Sequence, residues 1–138
     1  MNSAIEYRIG GQLNVDEVIE LYRASTLGER RPIDDRPRIE AMLRGANLTI
    51  TAWDSDLLVG IARSLSDFSY ATYLSCLAVR ASYQKQGVGR ELVRRTKEAA
   101  PQTRVILLAA PAARFYYPKI GFTEHESCWT LGPDEELR

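Results

Sequence analysis

Apolar positions along the chain change their period several times. "IEYRIGG" reads as a short first strand ending in a glycine pair; in "NVDEVIELYRAST" Val15, Val18, Ile19 and Tyr22 then recur at the spacing of one helix face, with Asn14 as the predicted N-cap. "IEAMLRGA" gives a second, short helix stopped by Gly45. From Leu48 the period becomes two, and "LTITAWDSD" and "LLVGIARSLSD" read as strands joined by a hairpin at Asp54 to Asp56. "FSY" leads into a third strand, "YLSCLAV" (Tyr73 to Val79). A helix follows from about Gly87 to Ala100, closed by Pro101, and then "RVILLAA" (Arg104 to Ala110), which is apolar on both faces and so predicted for the sheet interior. The last stretch begins a helix at Pro111, turns through Pro118 to Gly121 and ends in a predicted strand, "CWTL".

The order β, α, α, three strands, α, β, α, β predicts a mixed α/β (α+β) domain with a local β-α-β unit after the third antiparallel strand. Between the first two helices "LGERRPIDDRPR" holds two prolines and seven charges, which predicts a loop or broken helix and the segment best suited to touch substrate.

Composition narrows the field by exclusion. At 138 residues, 45% hydrophobic and 26% charged, the chain has the make-up of one ordinary globular domain. Eighteen Lys plus Arg balance eighteen Asp plus Glu, which gives no bulk attraction to nucleic acid or to an anionic membrane, so any anion site must be local. No membrane span or secretory signal is legible, and a cytoplasmic location is the expectation. Cys76 and Cys128 are too few for a disulfide scaffold and are expected to be buried thiols, and the single histidine in "HESC" (His125 to Cys128) cannot complete a metal's ligand set.

The stretch that asks for chemistry is "SYQKQGVGRELV" (Ser82 to Val93), directly after the third strand of the antiparallel run. A helix N-terminus leaves its first N–H groups unpaired and carries partial positive charge, and glycines let an anion approach the backbone. Gly87 and Gly89 stand at such an entrance, with Lys85 and Arg90 as adjacent cations. The spacing matches neither a P-loop nor the dinucleotide fingerprint, and by itself it fits a pyrophosphate seat or a plain glycine-rich helix entrance equally well.

Read together, "LAV", "YQKQGVGRELV" and, past one more apolar strand, "ARFYYPKIGF" resemble the GNAT N-acetyltransferase family, which carries Gln/Arg-x-x-Gly-x-Gly/Ala after a strand and a Phe-Tyr...Gly-Phe segment downstream. The resemblance runs from about Leu77 to Phe122, and the element order elsewhere agrees with it. It implies a GNAT-like fold over residues 1–138: a central, mostly antiparallel mixed sheet flanked by helices, with the glycine turn in its β-α-β unit. It also implies acetyl-CoA as cofactor. The pyrophosphate would lie on the backbone of Gln84, Lys85, Gln86, Gly87, Val88, Gly89 and Arg90, and the pantetheine arm would pair with Leu77, Ala78 and Val79. Tyr116 stands at the position of the tyrosine acid that faces the departing thiolate. The asparagine common upstream of that segment is absent from "AAPAARFY".

Acetyl transfer needs a neutral amine, yet an alkyl amine has a pKa of about 10.4 and is mostly protonated at neutral pH. The third strand of the antiparallel run carries no Glu or His to take that proton, and ordered water, Asp67 or Glu29 are the remaining acceptors. Asp34, Asp35 and Asp67 could draw a cationic amine. The expected acceptor is a small-molecule amine, a simple or an amino-acid-like one; a protein lysine or N-terminal amine, or an acyl-CoA sensor without turnover, are the alternatives. A free last strand would also allow a homodimer.

Overall fold

The computed structural model describes residues 4–138, which divide into two compact units, the first ending at Leu108 and the second Ala109–Arg138. The first unit is built on five strands: β1 (Glu6–Ile9), β2 (Leu48–Asp54), β3 (Leu57–Ser66), β4 (Ala71–Val79) and β5 (Arg104–Ile106). They lie in chain order in one sheet; the first four are antiparallel and β5 is parallel to β4. This is the predicted mixed sheet, and its parallel pair brackets the β-α-β unit.

Local chemistry explains the helix boundaries. Helix α1 (Val15–Ala24) opens on Asn14, whose Oδ1 accepts the Glu17 N–H at 3.2 Å, and its acids Asp16 and Glu17 sit in the first turn where the helix dipole favours them. Helix α2 (Arg36–Gly45) is capped by Asp35 and has a proline in its first turn, where the missing N–H costs no helical bond. The charged segment between them is broken, as predicted, and contains only a short 3-10 turn, Thr26–Arg30. Asp54 faces Leu57 across the expected hairpin, with Ser55 left-handed at φ 52.

One face of the sheet closes on α1 and α2 through Val18, Ile19, Leu21, Tyr22 and Ile39, packed with Trp53, Leu58, Ile61, Cys76 and Ala78. Helix α3 (Val88–Ala99) buries Val88, Leu92 and Val93, each side chain contributing about 1.5–3 kcal/mol. Gly60 is what lets α3 come close: a Cβ there would lie 3.0 Å from Leu92 Cδ1 and 3.3 Å from the Ala78 carbonyl oxygen.

The second unit holds helix α4 (Tyr116–Lys119) after a 3-10 turn at Pro111–Ala113. Three expectations need correction. "CWTL" forms no strand, and Trp129 is 91% exposed: its β-forming residues have no neighbouring strand in their own unit to pair with. β5 keeps only three residues of "RVILLAA" and lies at the end of the strand order, so Ile106 and Leu108 remain about half exposed instead of filling a sheet interior. Cys76 is buried as expected, but Cys128, lying in that irregular tail, is exposed.

Candidate active site

β5 pairs with β4 only opposite Ala71, Thr72 and Tyr73. From Leu74 to Val79 no strand covers that side of β4 among the described residues, so its backbone groups there can pair with an extended ligand as an added strand would. On the other side the register slips: Arg63 faces Cys76 but Ser64 faces Leu74, which leaves Ser75 unpaired as a bulge near the start of the open stretch. Leu77 and Val79 are half-buried, whereas Ala78 is 3% exposed in the core under α1 and α2, so only its backbone can serve a ligand.

The chain then turns sharply into α3. Arg80 leaves β4 with its N–H on the Val59 carbonyl and its guanidinium on Glu20 and the Leu58 carbonyl. The Tyr83 hydroxyl donates to Asp54, and Gln84 Nε2 donates back to the Val79 carbonyl at 2.9 Å, so the turn is tied to the strand ends it follows. Lys85 is left-handed at φ 63 and Gly87 at φ 86. The first helical bond is Glu91 N–H to Gly87 C=O, so the N–H groups of Val88, Gly89 and Arg90 precede it with no internal acceptor. Nothing lies within 4 Å of a Cβ built on Gly87. Gln84, Lys85, Gln86, Gly87 and Arg90 are exposed, and neither Lys85 nor Arg90 has a carboxylate partner among the described residues. Gly89 is half-buried, and Val88 points its side chain into the core with only its N–H at the turn.

The β4 edge and the glycine turn are thus continuous, and they fit an extended arm that ends in an anion. Tyr116 belongs to the second unit, where it is half-buried and meets Tyr117 edge-on at 5.3 Å. Tyr117 in turn packs edge-on against Phe122, and Phe115 is 74% exposed. Burial, with the neighbouring Tyr116, pushes the Tyr117 hydroxyl above its ordinary pKa.

The acids suggested by the sequence have other duties. Asp67 Oδ1 accepts the N–H groups of Tyr70, Ser69 and Ala71 at 2.7, 2.9 and 3.1 Å, and those bonds hold its carboxyl below the usual range, which makes it a poor base. Asp35 caps α2, Asp34 lies 3.8 Å from Arg23, and Glu29 is solvated.

A cationic cluster at the bulge was not foreseen. Arg63 on β3 is 5% exposed; its Nε and Nη2 each donate to Cys76 Sγ at 3.4 Å, Nη2 also reaches Ser75 Oγ at 3.0 Å, and Nη1 reaches the Met42 carbonyl at 3.1 Å. Arg31, from the loop between α1 and α2, donates Nε to the same sulfur at 3.2 Å, Nη1 to the Arg30 carbonyl at 2.8 Å and Nη2 to the Ser75 carbonyl. Burial pushes the Cys76 thiol up, but the charges of Arg63 and Arg31 and the Arg31 hydrogen bond outweigh it, and the thiol lies below its ordinary pKa. The Tyr22 hydroxyl is buried close enough to sense this sulfur, yet has no partner with hydrogen-bonding geometry among the described residues. The legible signal was an arginine inside the apolar run "GIARSL".

No curated protein sequence matches the chain. Among solved structures, a GNAT family acetyltransferase from Streptococcus pneumoniae TIGR4 is 21% identical with a TM-score of 0.77, over 95% of this chain and 100% of that one. An aminoglycoside N-acetyltransferase in complex with CoA is 15% identical with a TM-score of 0.75, over 97% of each chain. An aminoglycoside acetyltransferase from an uncultured soil metagenomic sample, in complex with sisomicin, is 18% identical with a TM-score of 0.68, again over 97% of each. These likenesses show the fold. A family model for the acetyltransferase (GNAT) domain matches residues 32–129, which span β2, β3, β4, the glycine turn, α3 and α4. The chain is a member of the GNAT acetyltransferase family.

Proposed function

We propose that the protein transfers an acetyl group from acetyl-CoA to the primary amine of a small molecule. The observation that carries this reading is the open edge of β4 leading into a helix entrance with three N–H groups ahead of the first helical bond and two cations that pair with no carboxylate among the described residues. Leu77, Ala78 and Val79 would hold the pantetheine arm through their backbone groups. Gln84 through Arg90 would hold the pyrophosphate, with the N–H groups of Val88, Gly89 and Arg90 as donors and Lys85 and Arg90 as counter-charges. Acetyl-CoA would supply the acyl group as an activated thioester.

Tyr116 would hold at Oη the proton needed by the departing sulfur; this role is supported by its match to the family's Phe-Tyr segment. With Asp67 tied to its own loop, water at the open β4 edge is the route by which the acceptor's ammonium loses its proton. The solved relatives that act on aminoglycosides support an acceptor of small-molecule size.

The expected result is release of CoA thiol that depends on both acetyl-CoA and an added primary amine, followed with a thiol reagent across a panel of small amines, with the product mass raised by one acetyl group. Thiol release that is independent of amine, or absent with every amine in the panel, contradicts acetyl transfer.

A further inference from the structure

The cluster at the β4 bulge has an unbalanced charge. Arg31 and Arg63 converge on one sulfur, and no carboxylate pairs with either guanidinium among the described residues. Even with Cys76 counted as a thiolate, two guanidiniums leave one positive charge over. A cation kept out of water is costly unless an anion accompanies it, and here no carboxylate among the described residues does so.

The two arginines differ in what they can still do. Arg63 is almost wholly enclosed, and its hydrogen bonds face inward to Met42, Ser75 and Cys76. Arg31 is half-buried and spends three of a guanidinium's five N–H groups on Cys76, Arg30 and Ser75, leaving one on each terminal nitrogen. Its bond to the Ser75 carbonyl places it on β4 within the stretch that no strand covers. The buried Tyr22 hydroxyl, which meets no partner with hydrogen-bonding geometry among the described residues, lies against the same group of atoms.

We propose that Arg31, backed by the buried charge of Arg63, is the receptor for a carboxylate on the acceptor, so that the acceptor is an amino-acid-like amine and not a simple one. One surplus positive charge and two remaining donors on a planar group match a monoanionic, planar carboxylate. An amine bearing further positive charges would be repelled at the same place. The inference rests on the acetyl-transfer reading and names the substrate class for that site.

The test compares matched pairs: L-amino acids, such as phenylalanine and lysine, against their decarboxylated amines, phenethylamine and cadaverine, by thiol release on the full chain. In at least one pair the amino acid is expected to have a kcat/KM higher by about 10- to 100-fold, mainly through KM, the size of a charge-assisted hydrogen bond. Arg31→Met is expected to bring that ratio close to one, and Arg31→Lys to keep part of it. Equal or better use of the decarboxylated amine in every pair overturns the proposal, as does an unchanged ratio in both variants. Turnover of neither series by protein that binds acetyl-CoA overturns it too while leaving the cofactor site standing; failure to bind acetyl-CoA removes the acetyl-transfer reading itself. Should Arg31→Met fail to fold, the wild-type comparison and Arg31→Lys decide alone.

Discussion

Gly87→Glu is expected to weaken acetyl-CoA binding by about 100-fold or more, the largest effect foreseen for any single change in the glycine turn. Two causes add. Gly87 sits at φ 86, a left-handed conformation in which a side chain costs about 1–2 kcal/mol. The space around it is empty, so the new side chain meets no clash and its carboxylate lies beside the unpaired N–H groups of Val88, Gly89 and Arg90, where it competes with the pyrophosphate for the same donors. Gly87→Ala separates the two causes, because it keeps the strain and lacks the charge; it should lose far less affinity. Calorimetric titration of both variants, with circular dichroism to confirm folding, reads the difference. Equal affinity for Gly87→Glu and the unmodified chain would show that the helix entrance holds no phosphate.

Tyr116→Phe is expected to lower kcat by about 100-fold or more, within the range for removal of a general acid, while acetyl-CoA still binds with unchanged affinity. The substitution deletes one oxygen and keeps the ring that packs on Tyr117. Tyr117→Phe is the informative comparison. Its hydroxyl is pushed above the ordinary tyrosine pKa by burial and by Tyr116, which makes it the poorer proton donor, and its loss should leave kcat within a few-fold of the unmodified enzyme. Steady-state rates at saturating acetyl-CoA check both. A full rate for Tyr116→Phe would remove the hydroxyl from the chemistry, and a collapse confined to Tyr117→Phe would assign the role to its neighbour.

Features set by near neighbours in the chain were legible in the residues. Asn14 caps α1 and "DSD" turns the hairpin, both through interactions spanning a few residues. The glycine turn was legible for the same reason, since its φ values, its cap and its bond from Gln84 to Val79 are local. What escaped depends on partners distant in sequence. "CWTL" has the composition of a strand, but composition does not supply the neighbour that a strand must pair with. "RVILLAA" looks suited to a sheet interior, yet it pairs with β4 for three residues only, and the point at which the two part company is set by the sheet.

The cationic cluster was hidden for a related reason. Arg31, Arg63 and Cys76 are far apart along the chain and meet only through the pairing of β3 with β4 and the bonds that Arg31 makes to Cys76 and the Ser75 carbonyl. Asp67 misled in the opposite direction: as a residue type it is a candidate base, but its carboxylate is consumed by three N–H groups of its own turn.

The central claim is that the β4 edge and the glycine turn together form an acetyl-CoA site, and calorimetric titration of the purified chain with acetyl-CoA, beside CoA and ADP, tests it most directly. Saturable binding to one site is expected, with CoA close to acetyl-CoA and ADP weaker because it reaches the turn but not the strand edge. No heat of binding from a chain shown by circular dichroism to be folded would contradict the account.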